Sequence, residues 1–298
     1  MNHYLFGEET SQPLDRDRLL ALLHQARENK AKLRDYPLSK ILRALHEAGK
    51  KWADPHYQGR IEALAKLPDL IGFSREMVEK GLDYLAASLE HDGLLEDLTL
   101  QLGNPEFLDR FVYDQKYDGL LRAEPHGLLL HVSAGNVFVG AALHIVQGLL
   151  TKNVNLIKLS SADPVFPVLV ARSVVEADPF LKHGLALMHW KGGDSEIEGM
   201  LKQSVDAISV FGGEEAVESY RHGLAPHVEL FRHGPKVGLA LVGKEALWDQ
   251  DLADRLVHDA VMWDQNACSS PQLLYLEGEE KNAKDFIPLL AEAFRNAA

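Results

Sequence analysis

The feature that most restricts the fold of this chain is the alternation of short apolar runs with helical patterns between residues 126 and 235. The apolar runs read HGLLLHVS, NVNLIKLS, GLALMHW, DAISVFGG and HVELFRHG, and the segments between them carry apolar residues at helical spacing. Uninterrupted apolar strands that alternate with helices are typical of a parallel sheet with both faces covered. The pattern therefore predicts an α/β fold, a parallel Rossmann-type sheet with flanking helices, whose ligands bind at the carboxyl ends of the strands.

The segment before this region has a different spacing of apolar residues. Between residues 14 and 118 apolar residues recur three and four positions apart, which predicts helices that pack on the sheet. Ser74 is the predicted N-cap of one of these helices, because acidic residues follow it at positions 76 and 79.

A new unit begins after Pro235, where a strand, a helix, the loop DQNACSSP, a second strand and a last helix follow one another. We therefore expect two domains. The first spans 1–235, mainly helical over 1–120 and parallel α/β over 126–235, and the first part of the second spans 236–298.

Charge and hydropathy argue against several functional classes. The 298 residues include 44 acidic and 31 basic side chains, a net charge of −13. Nucleic acids and anionic membranes both require a basic face, so neither is expected as a partner.

The longest apolar stretch, Val137–Leu150, is too short to span a bilayer. The N-terminus lacks the pattern of a signal peptide, and a single cysteine cannot form an internal disulfide. We expect a soluble, cytoplasmic protein.

Cys268 lies in the loop Asp264–Pro271, after an amphipathic helix and before an apolar strand. A lone cysteine often serves only as a small buried apolar residue. The polar and small neighbours favour exposure instead, and an exposed thiolate could attack a carbonyl or thioester carbon. Cys268 is therefore a candidate nucleophile.

Polar residues also follow the first two strands of the predicted sheet. Ser133 and Asn136 stand between the first strand and a helix, where an amide and backbone N–H groups could donate to an oxyanion. The alternative is that Asn136 only caps that helix. Lys158, Ser160 and Ser161 end the second strand and suit a ribose or a phosphate. The alternative is that they form an ordinary turn before a capped helix.

Two glycines, Gly212 and Gly213, follow the strand DAISVF. Glycine lets the backbone approach a pyrophosphate closely, but this is not a G-x-G-x-x-G fingerprint and the signal alone is weak. No pair of histidines has metal-ligand spacing with a third partner, so no metal site is predicted. Histidines such as His131 and His144 are assigned no role.

Together these segments resemble the aldehyde dehydrogenase superfamily in their order and approximate spacing. The resemblance implies that Asn136 is the oxyanion asparagine, Lys158 the lysine at the adenosine ribose, and Gly212–Gly213 the turn beside the pyrophosphate. His233 and Gly234 match the stretch that leads into the catalytic domain, and Cys268 matches the nucleophile. The first domain would then bind the cofactor, with Ser133, His233 and Gly234 among its cofactor-binding residues, and the second would carry the catalytic cysteine.

Within that superfamily the chain is most similar to the long-chain acyl-CoA and fatty-acid reductases, the reductase subunit of bacterial bioluminescence and its relatives. The segments NLIKLSSADPVFP and ACSSPQ carry this likeness, which covers about residues 80–298. The implied reaction has two steps. Cys268 attacks an acyl thioester with the oxyanion held by Asn136 and a backbone N–H, and hydride from NADPH then reduces the acyl-enzyme to the aldehyde.

Two departures from the superfamily pattern are informative. Hydrolytic members place a glutamate where this chain has Arg232, so no base at that position activates water against the acyl-enzyme. NAD-preferring members place a glutamate where this chain has Ser161, which does not repel a 2′-phosphate. NADPH is therefore the expected cofactor and NADH the alternative, since Asp163 lies nearby.

The resemblance also sets the expected partners and the rival functions. The substrate would be acyl-CoA or an acyl-carrier thioester, delivered in some cases by an acyl-transferring partner subunit. Catalytic domains of this superfamily continue well past the cysteine, so the chain is expected to be incomplete at its C-terminus and homo-oligomeric when complete. The rivals are an acyl-phosphate reductase of the same superfamily and a truncated, non-catalytic cofactor-binding module.

Overall fold

The computed structural model describes residues 3–249 and 251–297. The chain forms two compact units, residues 1–234 and residues 235–298. We describe each unit by itself.

The first unit contains nine strands and nine α-helices among its described residues. The strands are β1 (His3–Leu5), β2 (Glu8–Thr10), β3 (Val112–Asp114), β4 (Gly119–Leu121), β5 (Leu128–Val132), β6 (Val154–Lys158), β7 (Leu185–Met188), β8 (Ala207–Phe211) and β9 (Glu229–His233). The helices are α1 (Arg16–Arg34), α2 (Leu38–Ala53), α3 (Gln58–Ile71), α4 (Arg75–Ser88), α5 (His91–Leu102), α6 (Val139–Leu150), α7 (Phe166–Ala177), α8 (Ser195–Ser204) and α9 (Glu214–Arg221).

Seven of these strands form one sheet in the order β2-β1-β7-β6-β5-β8-β9. The five strands from β5 to β9 are parallel to their neighbours, whereas β1 runs antiparallel to β7. The predicted parallel α/β sheet is therefore confirmed, and each of the five apolar runs is a strand. Every residue of β5 and β7 is buried, as expected for strands with helices on both faces.

The prediction of helix up to residue 118 is wrong near its end. Residues 112–121 form the antiparallel hairpin β3–β4 instead. The Asp114 carboxylate accepts hydrogen bonds from the backbone N–H groups of Lys116 and Tyr117, and Asp118 adopts a left-handed φ of 46°. This local turn satisfies the backbone groups that a helix would otherwise pair.

The predicted N-cap at Ser74 is confirmed, because its hydroxyl accepts a hydrogen bond from the backbone N–H of Met77 at 3.0 Å. Helices α2 and α7 pack together in the layer on the sheet. Between them the buried indole of Trp52 donates to the Ser173 hydroxyl at 2.9 Å. A buried polar pair of this kind is stable because each group is satisfied by the other.

The second unit is a two-stranded parallel sheet with two helices. Its elements are β10 (Gly238–Val242), α10 (Leu252–Val261), β11 (Pro271–Leu276) and α11 (Glu280–Ala297). Short 3₁₀ helices lie at Lys244–Trp248 and Met262–Gln265. The core lies between the sheet and its helices and includes Val242, Leu252, Val257 and Phe286. Within the described parts of both units, no helix has the length and apolar character to cross a membrane.

Candidate functional site

The carboxyl edge of the main sheet gathers most of the residues that the sequence singled out. The strand order reverses at β5, since β6 lies on one side of it and β8 on the other. Val132 pairs with Lys158 on one side and with Val210 on the other, so the strands end at the same level. In sheets of this kind the crevice at the reversal point binds ligands.

The loop after β5 begins at this crevice. Ser133 is buried, whereas Asn136 is exposed to solvent. Helix α6 starts at Val139, with Phe138 at the N-cap position and no capping bond from a side chain. The N-cap position is thus occupied by Phe138, and Asn136 lies two residues before it, exposed at the edge of the sheet.

Gly135 is required by the close packing of two neighbouring loops. A Cβ atom at this position would overlap the Ser160 hydroxyl and lie 2.9 Å from the Cβ of Ala162. The loop after β5 and the loop after β6 are therefore in direct contact. A larger residue at position 135 would force them apart.

Lys158 ends β6 beside an aromatic ring and a buried acid. Its ammonium lies 5.5 Å from the centre of the Trp190 ring. The Trp190 indole donates to the Glu198 carboxylate at 3.3 Å, and the backbone N–H of Gly193 donates to it at 3.1 Å. Burial lowers the pKa of Lys158, and the Glu198 charge acts in the opposite direction. Sequence reasoning missed Trp190 and Glu198, because they come from a later strand end and a helix.

The serines that follow Lys158 have different surroundings. Ser160 is half-buried and its hydroxyl accepts a hydrogen bond from the backbone N–H of Ala162 at 3.2 Å. Ser161 is exposed and its hydroxyl lies 3.4 Å from Nε2 of His189. His189 follows β7, and sequence reasoning gave no signal for it. Burial and the Lys158 charge lower the pKa of His189.

Asp163 points into the fold and not toward the edge. One of its carboxylate oxygens accepts hydrogen bonds from the backbone N–H groups of Val165 and Phe166, which begin α7. The side chain is 4% exposed, and burial raises its pKa to about 6. This aspartate caps a helix and is not available to the ribose of a cofactor.

The turn after β8 leaves the backbone of Gly213 open. The N–H of Gly212 donates to the carbonyl of His233 at 3.3 Å. Gly213 precedes α9 with an ordinary φ of −65°, and no atom lies within 4 Å of where its Cβ would be. Glu214 and Glu215 stand in the first turn of α9 and already compensate its positive end. What the turn offers a ligand is therefore the uncovered backbone of Gly213 and not a helix dipole.

Strand β9 is the edge of the sheet and brings the last two residues of this group. His233 is exposed, and its ring stacks on that of Phe211 with the ring centres 3.9 Å apart. Gly234 follows it, with open space where its Cβ would be. Arg232 is exposed on the same strand, at the register position of Val210.

The second unit carries Cys268 in the loop between α10 and β11. The thiol is free and exposed, so the alternative that it is a buried apolar residue is wrong. The three consecutive residues Trp263, Asp264 and Gln265 have φ values of 62°, 49° and 61°. Left-handed conformations cost a non-glycine residue roughly 1–2 kcal/mol. Strain of this kind concentrates at functional sites.

The loop of Cys268 is fixed by contacts to its own sheet. The backbone N–H of Ser270 donates to the carbonyl of Ala267 at 3.1 Å, and Gln265 donates to the carbonyl of Pro271 at 3.2 Å. A Cβ atom at Gly238, the first residue of β10, would overlap the backbone of Ser270. The start of β10 therefore packs directly against the segment that follows the cysteine.

Over residues 3–249 and 251–297, no cluster of three or more histidine, cysteine or acidic residues could hold a metal ion.

The chain is similar in sequence to curated relatives, at moderate identity. The long-chain acyl-protein thioester reductase of Photorhabdus luminescens is 29% identical over 249 residues, covering 81% of this chain and 50% of the relative. That of Photobacterium phosphoreum is 27% identical over 274 residues, covering 91% and 54%. The chain thus spans about half the length of the curated relatives it matches.

Solved structures share the fold. An NAD-dependent benzaldehyde dehydrogenase from Corynebacterium glutamicum superposes with a TM-score of 0.76 at 15% identity, covering 99% of this chain and 67% of the other. The glyceraldehyde-3-phosphate dehydrogenase GapN from Methanocaldococcus jannaschii, complexed with NADP, gives a TM-score of 0.68 at 16% identity, covering 95% and 60%. These likenesses establish an aldehyde-dehydrogenase-like fold.

A family model described as acyl-CoA reductase (LuxC) matches residues 33–298, which is most of the chain. The resemblance inferred from the sequence motifs is confirmed by this match. The chain belongs to the LuxC family of acyl-CoA reductases.

Proposed function

We propose that the whole protein reduces an acyl thioester to the aldehyde through an acyl-cysteine intermediate, with NADPH as the reductant. The observation that carries the proposal is the set of open strand ends at the reversal point of the sheet, joined in one chain to an exposed cysteine on a strained loop. The names of the relatives, long-chain acyl-protein thioester reductases, support the substrate class. The thioester would be that of coenzyme A or of a protein thiol, which a partner subunit would present.

Cys268 is the nucleophile in this proposal. Its thiolate attacks the thioester carbon, the carbon–sulfur bond to the carrier breaks, and the carrier leaves as a thiol after taking up a proton. The exposed amide of Asn136 is the proposed donor to the negative charge that develops on the carbonyl oxygen. The acyl group is then held on Cys268 until it is reduced.

The residues of the sheet edge fit a dinucleotide. Lys158, Ser160 and Ser161 present one ammonium and two hydroxyls to a ribose, and Ser133 lies at the head of the neighbouring loop. The uncovered backbone of Gly213, in the turn that begins with Gly212, suits a pyrophosphate, with His233 and Gly234 beside it. When bound, NADPH supplies the hydride, which is cofactor chemistry; the protein supplies orientation.

Two observations favour NADPH over NADH. Asp163, the acid nearest in sequence, is buried at a helix start and so does not repel a 2′-phosphate at the edge. Ser161 lies 3.4 Å from His189, whose pKa burial and the nearby Lys158 charge lower, so this part of the edge offers an anion an ammonium and the N–H of a neutral imidazole.

Arg232 stands where a hydrolytic relative has its base, and a guanidinium does not accept a proton from water.

The test of the nucleophile uses the full-length protein and long-chain acyl-CoA. Intact-mass measurement should show one acyl adduct, peptide mapping should locate it at Cys268, and Cys268→Ser should abolish it. A substitution at an exposed serine of the same loop, Ser269→Ala, is the matched control and should still acylate. An unmodified protein that makes aldehyde without forming an adduct at Cys268 would overturn the covalent mechanism.

The test of cofactor choice is a titration of the protein with NADPH and NADH. NADPH should bind at least as tightly as NADH, and Ser161→Glu should reverse the order because a carboxylate repels the 2′-phosphate. Ser161→Gln, which adds similar bulk without charge, is the control. Strong preference of the unmodified protein for NADH would contradict the proposal.

A further inference from the structure

Four aromatic rings form a continuous column beneath the carboxyl edge of the sheet. His131 of β5 stacks on His144 of α6 with centres 5.3 Å apart, and His144 contacts Phe211 of β8 at 4.2 Å. Phe211 in turn stacks on His233 of β9 at 3.9 Å. This ring column runs from the buried core to the exposed edge and joins three strand ends through one helix.

Hydrogen bonds define the state of the buried end of the column. The amide nitrogen of Asn155 donates to two carbonyls, those of Asn153 and Gly184, so its oxygen is the atom that faces Nε2 of His131 at 3.0 Å. Nε2 of His131 therefore carries the proton. Nδ1 of His131 is buried and has no hydrogen-bond partner.

His144 occupies the junction of the column. It is 6% exposed, and Nδ1 lies 3.2 Å from the Ser133 hydroxyl at the head of the loop that carries Asn136. Burial, aided by His131 and His233, lowers its pKa to about 3, so the ring is neutral at ordinary pH. A neutral Nδ1 can accept a hydrogen bond from the Ser133 hydroxyl, while the two faces of the ring pack on His131 and Phe211.

We propose that His144 is a positioning residue that holds two ligand-binding loops through two separate contacts. Its Nδ1 fixes the Ser133–Asn136 loop, and its ring face fixes Phe211 and hence the Gly212–Gly213 turn. The inference rests on the proposed function, because it assigns the first loop to the acyl carbonyl and the second to the dinucleotide.

Packing alone does not account for this arrangement. A leucine or phenylalanine on α6 would fill the same space without the cost of burying polar ring nitrogens. The column instead contains two buried imidazoles, one with an unsatisfied nitrogen, where an apolar core would be more stable. The polar contact to Ser133 is the feature that an apolar side chain would not reproduce.

Two substitutions separate the two contacts. His144→Phe keeps an aromatic ring between His131 and Phe211 but removes the acceptor for Ser133. His144→Asn places a polar atom where Nδ1 stood but removes the ring. Ser173→Ala, which deletes a buried hydroxyl that accepts from Trp52 far along the chain, controls for a general loss of stability.

The two readouts are the rate of acylation of the full-length enzyme by acyl-CoA and the dissociation constant of NADPH. His144→Phe should slow acylation roughly ten- to hundredfold, as expected for a misplaced catalytic loop, with NADPH affinity changed less than about twofold. His144→Asn should weaken NADPH roughly three- to tenfold, as expected for a lost ring stack, with acylation nearly unchanged. Ser173→Ala should alter neither.

A double-mutant cycle then tests the route through Ser133. Ser133→Ala should slow acylation by a similar factor, and the double variant with His144→Phe should be no slower than either single variant. Two His144 variants that change both readouts by equal factors, or additive effects in the cycle, would overturn the inference. Failure of the proposed function is distinct from these results, because it appears as an unmodified enzyme that forms no aldehyde.

Discussion

The sheets of the two units differ in how far they are covered by the rest of the unit. In the first unit, β5 lies in the middle of a seven-stranded sheet and every one of its residues is buried. In the second unit, helices α10 and α11 cover one face of the two-stranded sheet, while the opposite face exposes Leu239, Leu241, Leu273 and Tyr275 by 51–74%. The carboxyl edge of the main sheet thus lies on a complete core, whereas the loop of Cys268 adjoins a sheet with one exposed face.

The largest effect should come from matched leucine truncations in the two sheets. Leu130 of β5 is fully buried, and Leu130→Ala should lower the free energy of unfolding by roughly 2–5 kcal/mol through lost burial and a cavity. Leu241 of β10 is 74% exposed, and Leu241→Ala should change it by less than about 0.5 kcal/mol. Denaturant unfolding measures both. A large loss from Leu241→Ala would show that its face is covered in solution, for example by a second copy of the chain.

Acid should destabilise the first unit more than the second. In the unfolded chain a histidine gains a proton near pH 6.5, whereas burial lowers the pKa of folded His131 to about 4 and of folded His144 to about 3. The unfolded state therefore binds more protons below pH 6.5, and the free energy of unfolding falls from there toward pH 4. For His131 the loss is on the order of 3 kcal/mol.

One group in the first unit opposes this trend. Burial raises the pKa of Asp163 from 3.8 to about 6, so the folded state gains a proton first and recovers some stability as pH falls from 6 to 3.8. Two histidines outweigh one aspartate, so the net change remains a loss. In the described part of the second unit the buried polar side chain is Ser270, which does not titrate. Hydrogen exchange between pH 7 and 5 should lose protection in β5 to β8 but not in α10 or α11, and equal losses in both would contradict this prediction.

The smallest effects should separate a crowded glycine in one unit from an open glycine in the other. Gly238→Ala places a Cβ against the backbone of Ser270, so it should cost roughly 1–3 kcal/mol and change the rate at which Cys268 reacts with a thiol reagent. Gly213→Ala meets open space at an ordinary φ and should leave the free energy of unfolding within about 0.5 kcal/mol of the unmodified value.

The same two variants should have effects of the opposite order on the affinity for NADPH. Gly213→Ala should weaken NADPH binding, because its new methyl covers the backbone that we assign to the pyrophosphate, whereas Gly238→Ala should leave it unchanged. Equilibrium titration with NADPH checks both. Unaltered NADPH affinity in Gly213→Ala would remove the Gly212–Gly213 turn from the proposed site.

Several features followed from the sequence because they depend on neighbours along the chain. Apolar runs of five residues marked the parallel strands, since a strand buried on both faces has no polar positions to interrupt it. The hydroxyl of Ser74 marked a helix start, and the polar loop around Cys268 predicted exposure. The hairpin β3–β4 was missed because three-residue strands are too short to show a period.

Only the tertiary structure decided which of these groups meet and which are hidden. Asp163 looked available to a ribose, but the start of α7 takes its carboxylate into the fold. His144 and His189 gave no signal, because the contacts that matter join Ser133 to a residue eleven positions away and Ser161 to one twenty-eight positions away. Such pairs are set by strand register and helix packing, which bring distant residues together through burial that no local pattern encodes.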